Sequence, residues 1–174
     1  TRIDRHVIEL LLAWMESHPA EARTVTSCSI NLSAGTMQDE GFAAFLQKRL
    51  SNSSFPAGKI VFEITETSAL LDLAHAQALI VRLRQIGCRF ALDDFGTGFC
   101  SFQYLQNLDV DIFKIDGSFV RDLETSPLSK AVIRSIITSN CSWPTAPTIM
   151  SEPICGVKSC VTPSSARLSS ALRR

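Results

Sequence analysis

The 174-residue chain carries 17 Lys and Arg against 17 Asp and Glu, so its formal charge is zero with the three His neutral. A composition that is 45% hydrophobic and 20% charged, with ten Phe, supplies the core of one ordinary domain and excludes a disordered chain or a collagen-like repeat. Zero net charge speaks against a DNA or RNA polymer as partner, which needs a basic surface to release counterions, and no apolar run approaches the roughly 18 residues that span a bilayer.

The first segment reads as a helix, with Thr1 and Asp4 as a capping pair and Ile3, Val7, Leu10, Leu11 and Trp14 at helical spacing, ending near His18-Pro19. Ala22 to Ser33 is rich in Thr, Val, Ser and Ile and suits a strand finishing at Ile30-Asn-Leu-Ser33. Phe42, Phe45, Leu46 and Leu50 give a second helix, and a loop over Ser51 to Gly58 leads into a strand at Lys59 to Glu66. Leu73 to Ile86 is helical, with Gly87 at the position of a left-handed cap and a strand from Arg89 to Asp93 directly after it. Phe102, Leu105 and Leu108 suggest a short helix, Asp111 to Asp116 a fourth strand, and Pro127 opens a last helix through Ile137.

This alternation predicts an α/β fold with a mainly parallel sheet, and four strand and helix units are about half of a (β/α)8 barrel, which typically needs about 250 residues. Residues 1–137 form that partial domain. From Thr138 to Arg174, 16 of 37 residues are Ser, Thr or Pro, and four basic residues face one acid, so the tail is +3 and the body −3. The tail is read either as a linker-like disordered segment or as translation out of the original frame; neither predicts a strand or an ordered core there. The start Thr-Arg-Ile-Asp lacks the layout of a secretory signal, so the cytoplasm is the expected compartment, and with a first residue other than Met the chain is expected to be a piece of something longer. Cys28, Cys88 and Cys100 lie in apolar stretches and read as buried free thiols. Cys141, Cys155 and Cys160 have no Cys-x-x-Cys spacing, so zinc is not favoured.

Strand side chains alternate with a period of two. If Ile30 and Leu32, Phe62 and Ile64, Phe90 and Leu92, and Phe113 and Ile115 face the helices, the opposite face carries Asn31, Glu63, Asp93 and Lys114. Each lies near the C-terminal end of its strand, where barrels place their sites. The bland alternative, four polar residues ending four strands at solvent, does not explain their matching parity. Asn31, Glu63 and Asp93, with Asp94 at the strand-to-loop turn, are hard oxygen donors suited to Mg²⁺ or Mn²⁺. Lys114 suits a phosphate oxygen or a nucleophilic water.

Ile30-Asn-Leu-Ser33, Phe62-Glu-Ile-Thr-Glu-Thr67, Ala91-Leu-Asp-Asp-Phe-Gly-Thr-Gly-Phe99 and Phe113-Lys-Ile-Asp-Gly-Ser-Phe-Val120 resemble, in order and spacing, successive motifs of the EAL-domain family of bacterial cyclic di-GMP phosphodiesterases. The resemblance implies a TIM-type barrel with one irregular strand and Mg²⁺- or Mn²⁺-dependent opening of cyclic di-GMP to linear pGpG. It carries metal ligation onto Asn31, Glu63 and Asp93, a second metal onto Asp94, and the catalytic lysine role onto Lys114. Glu66 resembles the family residue that steadies the loop after Asp94, and that loop, Phe95 to Phe102, resembles the one through which the family dimerises. The naming Glu-Ala-Leu segment is absent, and Asn140-Cys-Ser-Trp-Pro-Thr stands where the family has an Ala-Glu-Gly-Val-Glu strand. A phosphodiesterase-derived domain with little or no turnover is therefore expected; the alternative is a non-catalytic module that binds cyclic di-GMP or another protein.

Overall fold

The structure, a computed structural model, describes residues 1–95, 108–117, 126–127, 130–131, 148–151 and 159–161. Chain order is α1 (Arg2–Ser17), α2 (Pro19–Thr24), β1 (Cys28–Asn31), α3 (Ala34–Met37), α4 (Phe42–Ser51), a 3-10 turn (Ala57–Lys59), β2 (Ile60–Thr65), α5 (Glu66–Leu71), α6 (Leu73–Gln85), β3 (Arg89–Phe95), β4 (Ile112–Ile115), β5 (Thr148–Ser151) and β6 (Ser159–Val161). The strands lie side by side in sequence order. β1 through β5 pair in parallel and β6 is antiparallel to β5. Parallel neighbours need crossovers, which α3 and α4 supply between β1 and β2 and α5 and α6 between β2 and β3, and the result is the expected partial TIM-type barrel.

Several local expectations are revised. Thr1 makes no side-chain cap; Asp4 turns inward instead. Pro19 starts the short helix α2, so β1 is confined to four residues rather than drawing in Ala22 to Ser27. Glu66 leaves β2 and becomes the first residue of α5, because Thr65 caps that helix by accepting from the Ser68 amide at 3.3 Å. The expectation of no strand after β4 is corrected: Thr148–Ser151 pairs residue for residue with Ile112–Ile115. Four residues flanked by Pro147 and Glu152-Pro153 show no readable period, and the ladder of β4 defines this strand. The expected helices through Phe102 to Leu105 and Pro127 to Ile137 lie outside the described residues, as does Cys100.

The sheet's two faces differ as the period of two requires. Toward the helices, Ile30, Phe62, Ile64, Phe90, Leu92, Phe113 and Ile115 join Ile8, Leu12, Phe42, Leu46 and Leu83 in one buried cluster. Phe62 and Phe90, cross-strand partners, stand 5.9 Å apart, and Phe42 meets Phe62 edge-on at 6.2 Å. On the other face Val61, Ala91 and Ile112 form a separate small apolar layer. Moving two residues along each strand from that layer reaches Glu63, Asp93 and Lys114.

Candidate functional site

The apolar layer of Val61, Ala91 and Ile112 forms a buried floor, and the polar groups stand on it at the C-terminal ends of β2, β3 and β4. Lys114 is the centre. Its Nζ donates to Glu63 Oε2 at 2.9 Å and to Asp93 Oδ2 at 2.7 Å. The side chains of Lys114 and Glu63 are about as buried as core residues, 6% and 5% exposed, and Asp93 is 14% exposed. Removing three charges from water is costly, and the two ion pairs, one buried cation shared by two acids, offset it. Asn31 is the direct register partner of Glu63 on the neighbouring strand β1, and it is exposed at the mouth.

Asp94 is positioned by an irregularity that simple alternation misses. Leu92 pairs with Phe113 and Phe95 with Ile115, so two residues of β3, Asp93 and Asp94, stand opposite the single Lys114 of β4. This is a β-bulge. Asp94 takes a left-handed backbone with φ of 54°, which Asp tolerates better than most residues, and its amide donates to Asp93 Oδ1 at 2.9 Å. The extra residue places consecutive carboxylates at the mouth and still returns Phe95 to the core against Phe113, with ring centroids 5.6 Å apart. Asp94 was expected at a strand-to-loop turn; it lies inside β3. The signal was present in the sequence as the three-residue interval from Leu92 to Phe95.

Glu66 is also placed at this end of the sheet, 1% exposed at the start of α5, while most of the loop it was expected to steady lies outside the described residues. Asp4 is the residue whose part was misread. It is 7% exposed and its Oδ2 accepts from the Ser33 amide at 2.9 Å, from Ser33 Oγ at 2.8 Å and from Thr36 Oγ1. Burial pushes its carboxyl upward, but the bonds from Thr36 and Ser33 together outweigh that and hold it below the ordinary carboxylate range.

The donor set fits a hard divalent cation in its chemistry: two carboxylates and an amide oxygen on adjoining strands, with a further carboxylate beside them. Among the described residues, no three His, Cys, Asp or Glu side chains are gathered tightly enough to enclose an ion in this arrangement. Glu63 and Asp93 instead share the single ammonium of Lys114, which offsets one of their two negative charges.

The same strand ends and motifs can be compared with known proteins. The family model described as EAL domain matches residues 1–140. The chain belongs to the EAL domain family. Cyclic di-GMP phosphodiesterase PdeB of Shewanella oneidensis is 37% identical over 134 residues, covering 77% of this chain and 16% of the relative's length. The chain thus spans about a sixth of that relative. The EAL domain of FimX from Pseudomonas aeruginosa, solved bound to c-di-GMP, superposes with a TM-score of 0.74 at 26% identity, over 98% of this chain and 63% of that one. Klebsiella pneumoniae BlrP1, solved as a manganese and cy-diGMP complex, shares the fold with a TM-score of 0.74 at 22% identity, over 88% of this chain and 38% of its own. No helix among the described residues is long and apolar enough to cross a membrane.

Proposed function

We propose that this EAL chain supplies the metal- and phosphate-handling strand ends of a cyclic di-GMP phosphodiesterase, with Asn31, Glu63, Asp93 and Asp94 as ligands of Mg²⁺ or Mn²⁺ and Lys114 as the catalytic lysine. The observation that carries this reading is Lys114 Nζ held between Glu63 and Asp93 above a buried apolar floor. The relative PdeB is named a cyclic di-GMP phosphodiesterase, and the FimX neighbour was solved with the dinucleotide, which supports the substrate class.

These oxygens would hold a divalent ion, whose chemistry would be to activate a water and offset charge on the phosphodiester. Glu63 and Asp93 would give that ion negatively charged oxygens and Asn31 a neutral one, so the acids at the site would be offset by the ion together with Lys114. The Lys114 ammonium, pre-positioned by two carboxylates and shielded from bulk water, stabilises negative charge growing on the phosphate oxygens. In the hydrolysis, water oxygen forms the new bond to phosphorus, the P–O3′ bond breaks, and the 3′ oxygen takes up a proton. Glu66 steadies the segment that follows Asp94, and pairing of two copies through Phe95 to Phe102, in the cytoplasm, completes this reading.

With two carboxylates committed to Lys114 and no enclosing third among the described residues, the chain is expected to bind cyclic di-GMP better than it hydrolyses it. Calorimetric titration of the 174-residue chain with cyclic di-GMP in Ca²⁺, followed by chromatography of products in Mn²⁺, tests this. Saturable binding that Glu63→Ala and Asp93→Ala each weaken supports it. A folded chain that neither binds nor turns over the dinucleotide rejects the reading, and so does wild-type hydrolysis by either variant.

A further inference from the structure

Among the described residues, β1 stands at one flank of the sheet. β1 is an edge strand with β2 as its neighbour in the sheet, and it carries the exposed Asn31 at its end. An edge strand four residues long has few ladder bonds, so its last residues are held by whatever grips them from outside the ladder. On the sheet side, the Leu32 amide donates to the Glu63 carbonyl at 2.8 Å. On the helix side the grip is Asp4. From the first turn of α1 its Oδ2 accepts the Ser33 amide at 2.9 Å, Ser33 Oγ at 2.8 Å and Thr36 Oγ1, with Thr36 fully buried. Thr36 in turn donates its amide to the Ser33 carbonyl at 2.9 Å, which closes the turn from β1 into α3.

These bonds fix the chain immediately after Asn31. Ser33 lies two residues beyond it, one pleat repeat of about 7 Å along the chain, so displacement of Ser33 passes directly to the Asn31 backbone. The helix that carries Asp4 is itself anchored by Ile8, Leu12 and Met15 in the core and by Arg49 bridging Glu9 and Glu16 from α4, so the carboxylate is fixed in place. Three donors converging on one oxygen require an anion: an amide there would turn a donor toward the site or accept more weakly.

We propose that Asp4 is a positioning residue for the metal site, clamping the β1 to α3 turn so that the Asn31 amide oxygen is presented beside Glu63. The proposal rests on the reading of Asn31 as a metal ligand. Asp4 touches neither metal nor substrate in this account. It acts through Ser33 in the way that outer partners orient first ligands in metal sites, where their loss typically lowers affinity by roughly tenfold or more.

The test compares the full 174-residue chain with Asp4→Asn, which keeps size and removes charge, and with Leu12→Ala, which opens a cavity under the same helix about 12 Å from Asp4. Two quantities are read: Mn²⁺ affinity by titration of the metal alone, and hydrogen exchange of the Ser33 and Thr36 amides. The expected result is an Mn²⁺ dissociation constant about tenfold higher in Asp4→Asn and within about twofold of wild type in Leu12→Ala. Exchange at Ser33 and Thr36 should accelerate in Asp4→Asn alone. Equal Mn²⁺ affinity in wild type and Asp4→Asn overturns the proposal, as does an equal loss in Leu12→Ala, which would make the effect one of stability. If the wild-type chain binds no Mn²⁺, the metal reading of Asn31 fails and the positioning role with it. Accelerated exchange in Asp4→Asn in that case would show that the clamp exists as a fold contact alone.

Discussion

Replacing Lys114 by Met keeps an unbranched side chain only one heavy atom shorter and removes the one positive charge that pairs with both Glu63 and Asp93. Glu63 and Lys114 are buried, 5% and 6% exposed, and Asp93 is half-buried at 14%, so solvent screens little of the loss. Breaking a buried ion pair by removing one partner costs about 3–5 kcal/mol, because the remaining charge is left uncompensated in a low-dielectric site. For a chain of this size each kcal/mol moves the thermal midpoint by about 2–4 °C, so Lys114→Met should unfold roughly 10 °C below wild type in the absence of metal. The two carboxylates, no longer held by an ammonium, should then bind Mn²⁺ more tightly than in wild type, and saturating Mn²⁺ should recover more of the midpoint in the variant than it adds to wild type. Calorimetric scans of both proteins with and without Mn²⁺ give all four numbers. An Lys114→Met midpoint within about 2 °C of wild type, or an equal Mn²⁺ increment in both, would refute the view that one buried lysine and a divalent cation neutralise the same pair of acids.

Three further outcomes follow from particular contacts. Because Asp4 is held below the ordinary carboxylate range by Thr36 and Ser33 despite its burial, its contribution is complete above about pH 4 and fades as pH falls through its depressed folded value; the stability gap between wild type and Asp4→Asn should be flat from pH 5 to 7 and shrink below about pH 4 in urea titrations, and a gap that widens toward acid would contradict the sign. The Cys88 thiol is 4% exposed and burial pushes it up to about 12, so iodoacetamide at pH 8 should leave Cys88 unmodified in the folded chain and label it after denaturation, as peptide mass mapping would show. Gly87 has φ of 98°, and a Cβ there would meet Ala57 at an ordinary 3.6 Å, so Gly87→Ala should cost about 1–2 kcal/mol from backbone strain alone in denaturant unfolding; a neutral effect would mean the α6 to β3 turn relaxes.

Much of the site was legible because a strand's period of two makes parity visible in one dimension. The placing of Asn31, Glu63, Asp93 and Lys114 opposite Ile30, Phe62, Leu92 and Phe113 required only alternation, and the burial of the apolar set and the Lys114 contacts agree with it. Asp94, expected at a strand-to-loop turn, lies inside β3, since a bulge is defined by the partner strand and β4 alone shows that two residues oppose Lys114. The strand at Thr148–Ser151 escaped for the same reason: four residues between prolines have too little pattern of their own, and pairing with Ile112–Ile115 gives them a strand's identity.

Asp4 shows where the boundary lies. As a sequence, Thr1 and Asp4 before an apolar helical period read as a cap, which is a local interaction among neighbours in the chain. The tertiary structure gives its carboxylate to Ser33 and Thr36 instead, residues 29 and 32 positions away. By itself the sequence determined the alternating α/β order, the helix-facing side of each strand and the residue types at the mouth, because these depend on period and on the short range of backbone sterics. Which carboxylate meets the lysine, where the extra residue of β3 goes and what holds the end of β1 were decided only when the strands paired, because register, burial and long-range hydrogen bonds are properties of neighbours in space.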